Sequence, residues 1–122
     1  MEKYIEVMKK SLELADTIQE GIQHIQTQLG EGKREQTVFL FEDILVAYST
    51  IESTVEPVIS ELGNESIRGI QTELNKVVNL VVTAYEEKNY TKIQEVLQFS
   101  LAPQFKKLKK ELEKTFSPYL LS

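Results

Sequence analysis

Residues 5–30 read IEVMKKSLELADTIQEGIQHIQTQLG, and residues 38–63 read VFLFEDILVAYSTIESTVEPVISELG. In the first run Ile5, Met8, Leu12, Ala15, Ile18, Ile22, Ile25 and Leu29 are apolar. Adding 33 to each number gives Val38, Phe41, Leu45, Tyr48, Ile51, Val55, Val58 and Leu62, apolar again. Steps of three and four place one side chain above another on a single side of a helix. Each ladder is followed at once by glycine, Gly30 and Gly63, the residue that most easily adopts the left-handed conformation after a last helical turn. The spacing therefore predicts two long amphipathic helices, over about 2–29 and 34–62, with Gly30 and Gly63 as C-caps.

The remaining chain continues the pattern. Asn64 is an N-cap for a third helix over 65–88, with Ile67, Ile70, Leu74, Val77, Val78, Val81, Ala84 and Tyr85 inward. The β-branched run Val77–Val82 suits a strand locally, but the helical spacing around it and the lack of a pairing strand outweigh that. A turn at Asn89-Tyr90-Thr91 leads into a fourth helix over 91–115, where Thr91 and Gln94 have the spacing of a capping box. Its inward set is Tyr90, Ile93, Leu97, Leu101, Phe105, Leu108 and Leu112. Connections this short force neighbouring helices to run antiparallel. The expected fold is all-α, an up-down-up-down four-helix bundle forming one domain over 1–122. Pro57 and Pro103 fall inside helices, where a proline loses one backbone bond and crowds the carbonyl four residues earlier. Kinks are expected at 53–57 and 99–103.

Composition narrows the function classes. The 122 residues are 41% hydrophobic and 27% charged, with net charge −5 and no cysteine, so disulfides, thiolate catalysis and cysteine zinc sites are excluded. No apolar run approaches the length of a membrane span. The opening Met1-Glu2-Lys3-Tyr4 runs straight into a charged helix and does not read as a signal peptide, so a cytoplasmic protein is expected. Acidity argues against nucleic acid. Positive charge is concentrated at Lys106, Lys107, Lys109, Lys110 and Lys114, without the interleaved aromatics of a nucleic-acid site. The expectation is that these lysines balance Glu52, Glu56, Glu61 and Glu65 within the molecule. An acidic partner or membrane surface is the alternative.

Chemistry-bearing motifs are missing. A diiron bundle needs two Glu-x-x-His pairs, whereas His24 is the one histidine and has Gly21 three residues before it. Gly30-Glu31-Gly32 follows a helix and lacks the lysine of a phosphate loop. Serine–histidine–acid catalysis would need His24 at a pocket, and no pattern suggests one. No metal or cofactor is expected. A ligand could enter a four-helix bundle only where the kinks open it, near Gln98 or Tyr48. An exposed histidine on a helical bundle does evoke phosphotransfer domains, making a phosphotransfer protein using His24 the alternative function. The run His24-Ile25-Gln26-Thr27-Gln28-Leu29 departs from the His-x-x-Lys-Gly-like run of those domains.

The informative anomaly lies in the second helix. From Val38 to Tyr48 apolar side chains point nearly all round, interrupted by Glu42 and Asp43. Such a helix is usually covered on every side. An outer helix of a single bundle cannot be. Phe39 and Val46, seven residues apart, form a second face away from Phe41, Leu45 and Tyr48, suited to a partner helix or another copy of the chain. Glu42 lies between them, and Val96 and Phe99 make a smaller copy on the fourth helix. The expected function is a non-enzymatic protein-interaction module (adaptor, regulator or chaperone-like), with a homodimer as one form, using Phe39, Val46, Glu42 and Phe99. The apolar tail Phe116–Ser122 is expected to fold back over the bundle end near Tyr4 and Ile5.

The stretches Glu87-Lys88-Asn89-Tyr90-Thr91-Lys92-Ile93 and Leu97-Gln98-Phe99-Ser100-Leu101-Ala102-Pro103-Gln104-Phe105, with Tyr4-Ile5 and Ser11-Leu12-Glu13-Leu14, resemble uncharacterised small helical proteins of Bacillus-like Gram-positive bacteria. In size, helix number and acidity the chain is more distantly similar to small flagellar export chaperones. Neither resemblance carries a site residue onto this chain.

Overall fold

Met8, Ala15, Ile18, Ile22, Ile25 and Leu29 of the first ladder do form a single buried side, joined by Ser11, while Ile5 and Leu12 are only half-buried. In the computed structural model, which describes residues 1–121, a short 3-10 turn (Glu2–Tyr4) leads into α1 (Ile5–Gly30), α2 (Thr37–Leu62), α3 (Glu65–Glu86), α4 (Tyr90–Val96), a π-helical turn (Leu97–Leu101) and α5 (Ala102–Leu120). The last three run on as one rod. The result is the expected antiparallel four-helix bundle, with no strand among the described residues; Val77–Val82 is helical. α1 packs along α2 and along the fourth rod, and α3 packs along that rod and more sparsely along α2. α2 and the fourth rod therefore stand at diagonal corners. The core runs the length of the bundle from Met8 and Phe116 at one end to Leu29 and Ile93 at the other.

Several ends differ from expectation. Gly30 is the last residue of α1 rather than its cap. Gly32 takes the left-handed conformation (φ 80°) instead, and the Gly32 and Lys33 amides close onto the Leu29 and Gln28 carbonyls. The same closure recurs after α3. There Lys88 holds φ 53° while the Asn89 amide reaches the Ala84 carbonyl. α3 consequently ends at Glu86. α2 begins at Thr37 rather than near 34, because the fully buried Thr37 hydroxyl donates to the Arg34 carbonyl and meets the Tyr85 hydroxyl at 2.9 Å. Asn64 caps α3 as expected, through the Ile67 amide. The cap of the fourth rod is Asn89, through the Lys92 amide, and Thr91 lies inside the helix.

The two prolines behave differently. α2 runs unbroken through Pro57, an exposed position whose forgone bond leaves the Ser53 carbonyl to solvent. At Pro103 the expected disturbance is a π turn: the Ala102 amide reaches back five residues to the Leu97 carbonyl. The extra residue relieves the crowding between the proline ring and the carbonyl four residues before it. The tail does not fold back. α5 continues to Leu120, since Phe116 extends the buried series Phe105, Leu108, Leu112, and Pro118 removes only one bond of the last turn. Ser122 lies outside the described residues.

Candidate interaction surface

A four-helix bundle buries one side of each helix, so its outward side chains report what else the chain meets. On α2 the buried positions are Thr37, Phe41, Ile44, Tyr48, Ile51, Val55, Val58 and Ile59. Opposite them, at spacings of three and four, stand Phe39, Glu42 and Val46, all exposed. Phe39 is 66% exposed and Val46 68%. Just beyond Val46 the outward surface dips into a shallow depression of about 360 Å³ lined by Leu45, Val46, Ser49, Thr50 and Ser53. No lysine or arginine occurs between Thr37 and Leu62, so Glu42 and Asp43 make this an acidic as well as an apolar face.

Phe99, 72% exposed, lies elsewhere. It sits in the π turn on the diagonal rod, so the structure brings Phe39, Glu42 and Val46 together on α2 and leaves Phe99 apart from them. Phe99 has a neighbour in level that sequence reasoning missed. The Asn64 amide donates to the Thr115 hydroxyl at 2.9 Å, which fixes the level of α3 against α5. Sixteen residues onward from Asn64 is Leu80, and sixteen residues back from Thr115 is Phe99. Leu80 is 48% exposed, a further large apolar side chain left outside the core. The signal was present in the sequence, because Leu80 falls between the inward Val77, Val78 and Val81 and off their ladder.

The lysines divide. Lys109 is drawn toward α1, where its ammonium pairs with Asp16 and donates to the Gln19 amide oxygen at 2.9 Å. The Asp16 hydrogen bond holds the Lys109 pKa above its ordinary value, against a smaller opposing effect of burial. Lys106, Lys107, Lys110 and Lys114 are exposed and make no ion pair among the described residues. The expected balance with α2 and α3 acids does not form. Glu56 and Glu65 are taken by Arg68 instead, with Arg68–Glu56 at 2.8 Å. The diagonal placement of the lysine-bearing rod keeps its lysines from Glu52, Glu56 and Glu61 on α2, and Glu65 on the adjacent α3 is paired within its own helix.

His24 is exposed, and its ring lies 3.3 Å from the Gln28 amide one turn on. Beside the π turn a cleft of about 430 Å³ separates α1 from the fourth rod. Gln19, Gln23, Gln26 and Gln98 line it over a floor of Ile22 and Ala102, with Pro103 and Lys106 at its side. Among the described residues no three histidine, cysteine or acidic side chains come together as a metal set, and no helix is long and apolar enough to cross a membrane. The Tyr48 hydroxyl is buried without a hydrogen-bond partner among the described residues, with the Glu52 carboxylate nearby. Burial, and secondarily the Glu52 carboxylate, raise its pKa well above the usual tyrosine value.

The family described as "Domain of unknown function (DUF8042)" matches residues 6–111, most of the chain. The chain belongs to that family. The DUF8042 match spans α1 to α4 and the first half of α5, so it includes both the α2 face and the lysines of α5 apart from Lys114. No curated protein matches the chain, and no solved structure does.

Proposed function

We propose that the chain is a non-enzymatic protein-binding module whose contact surface is the outward stripe of α2, formed by Phe39, Glu42 and Val46. One observation carries this reading: two large apolar side chains, seven residues apart on one helix, stay about two-thirds exposed although the core is complete without them. Covering them against a partner helix removes apolar area from water at about 25 cal/mol per Å². Glu42 between them supplies a charge that selects among partners.

Affinity purification from the source cell with the wild type and with Phe39→Asp/Val46→Asp tests it. Both positions are exposed, so the variant keeps its helical circular dichroism. Proteins held by the wild type and lost by the variant support the reading. Identical capture by both, with identical mass in light scattering, rejects it.

A further inference from the structure

The α2 face is acidic and apolar, and the diagonal rod carries its chemical opposite. Phe99, Pro103, Lys107, Lys110 and Lys114 are all exposed, on the side of the rod away from the buried Phe105, Leu108, Leu112 and Phe116. The spacings match as well. Laid antiparallel with Lys107 opposite Glu42, Pro103 stands opposite Val46 and Lys110 opposite Phe39, each pair of numbers summing to 149, while Lys114 lies beyond the start of α2, toward Glu35. The same alignment sets Phe99 opposite Thr50, in the depression between Val46 and Ser53. Lysine stems lie readily along apolar surface while the ammonium reaches a carboxylate.

We propose that the occupant of the α2 face is a second copy of this chain, docked head to tail through the Phe99–Lys114 stripe of its fourth rod. This rests on the reading of α2 as a contact surface. Charge complementarity selects this pairing over a two-fold one. Pairing α2 with its own copy so that Phe39 covers Val46 sets Glu42 against the partner's Asp43, and like charges there oppose association. Because the two faces lie at diagonal corners, the contact does not close on itself, and each added copy leaves one acidic and one basic face free. A single helix-on-helix contact is small, so association belongs to the weak, concentration-dependent class.

Sedimentation velocity between about 10 µM and 1 mM, the range where weak interfaces fill, reads this directly. The wild type is expected to rise in average mass beyond two copies and to fall back toward 14.0 kDa in high salt. Val46→Asp and Lys107→Glu are each expected to stay single. Mixed together, they are expected to form a one-to-one dimer, since the first keeps the basic face and the second the acidic one. A mass of one copy at every concentration overturns the inference, as does one that stops at two, or a mixture in which both variants stay single. If the wild type stays single while Phe39→Asp/Val46→Asp still loses cellular partners, self-docking fails and the α2 contact surface stands.

Discussion

Lys109 reaches across from α5 to Asp16 on α1, the one ion pair among the described residues that links the first helix to the last rod. Asp16 is well exposed, so the pair is worth little, on the order of 0.5 kcal/mol. Lys109→Ala should lower the urea midpoint slightly. The sign of its pH dependence follows from the raised Lys109 pKa. The stabilisation is complete below the ordinary lysine value of 10.5 and is lost as pH climbs through the higher folded value. A urea series from pH 8 to 11 should narrow the gap between wild type and Lys109→Ala at the alkaline end.

Asn64 does two things at the α2–α3 corner. Its side-chain oxygen accepts from the Ile67 amide, and its amide donates to Thr115 of α5. Asn64→Ala should cost about 1–2 kcal/mol, the loss of a cap and of one tertiary hydrogen bond. Asn64→Asp keeps the cap acceptor and can accept from the Thr115 hydroxyl, so it should lose less than half of that. Chemical denaturation of the three proteins distinguishes these outcomes.

Tyr48 and Ser11 bury hydroxyls that find no partner among the described residues. Removing a buried, unsatisfied polar group recovers its desolvation cost. Tyr48→Phe should therefore raise Tm by about 4 °C, equivalent to about 1 kcal/mol in a domain of this size. Because burial raises the tyrosine pKa, wild-type stability should fall as pH rises above the ordinary tyrosine value of 10.0, and Tyr48→Phe should remove that part of the fall. Thermal unfolding at pH 7 and pH 11 checks both effects.

The π turn inserts one residue ahead of Pro103. Deleting the exposed Phe99 converts the buried steps to Ile93, Leu97, then Leu101 three residues on, an ordinary helical ladder. It also drives the proline ring against the Gln98 carbonyl, costing about 3 kcal/mol. Adding Pro103→Ala to the deletion removes that clash and should return Tm close to wild type. Circular dichroism melts of the single and double variants decide it.

The four helices were legible because ladders such as Ile5–Leu29 repeat with helical spacing and end beside glycine or asparagine. Two kinds of feature were not. The spacing puts Leu45 and Leu62 in the α2 seam, whereas Ile44 and Ile59 are the buried residues there, because α2 turns its core side between two unequal neighbours. Buried polar residues such as Ser11, three after Met8, and Thr37, four before Phe41, fall on the ladder spacing, but their polarity hides them, since their burial is set by what packs over them. The π turn did leave a trace: Ile93, Leu97, Leu101 and Phe105 step by four three times, which drifts off one face unless a wider turn absorbs it. Exposure at Phe39, Val46 and Phe99 could be read from the wheel. The diagonal separation of Phe99 from the other two needed the helix order in space.

The joint after α3 carries a lysine where the backbone asks for glycine, with Lys88 at φ 53°. A side chain in that conformation disfavours the closed hairpin by about 1 kcal/mol. The final rod is therefore held against the other three by the burial of Ile93, Leu97 and Phe105 rather than steered by its connector. Of the three corners, this is the one that closes over a non-glycine in the left-handed region, a cost that burial of the last quarter of the molecule offsets.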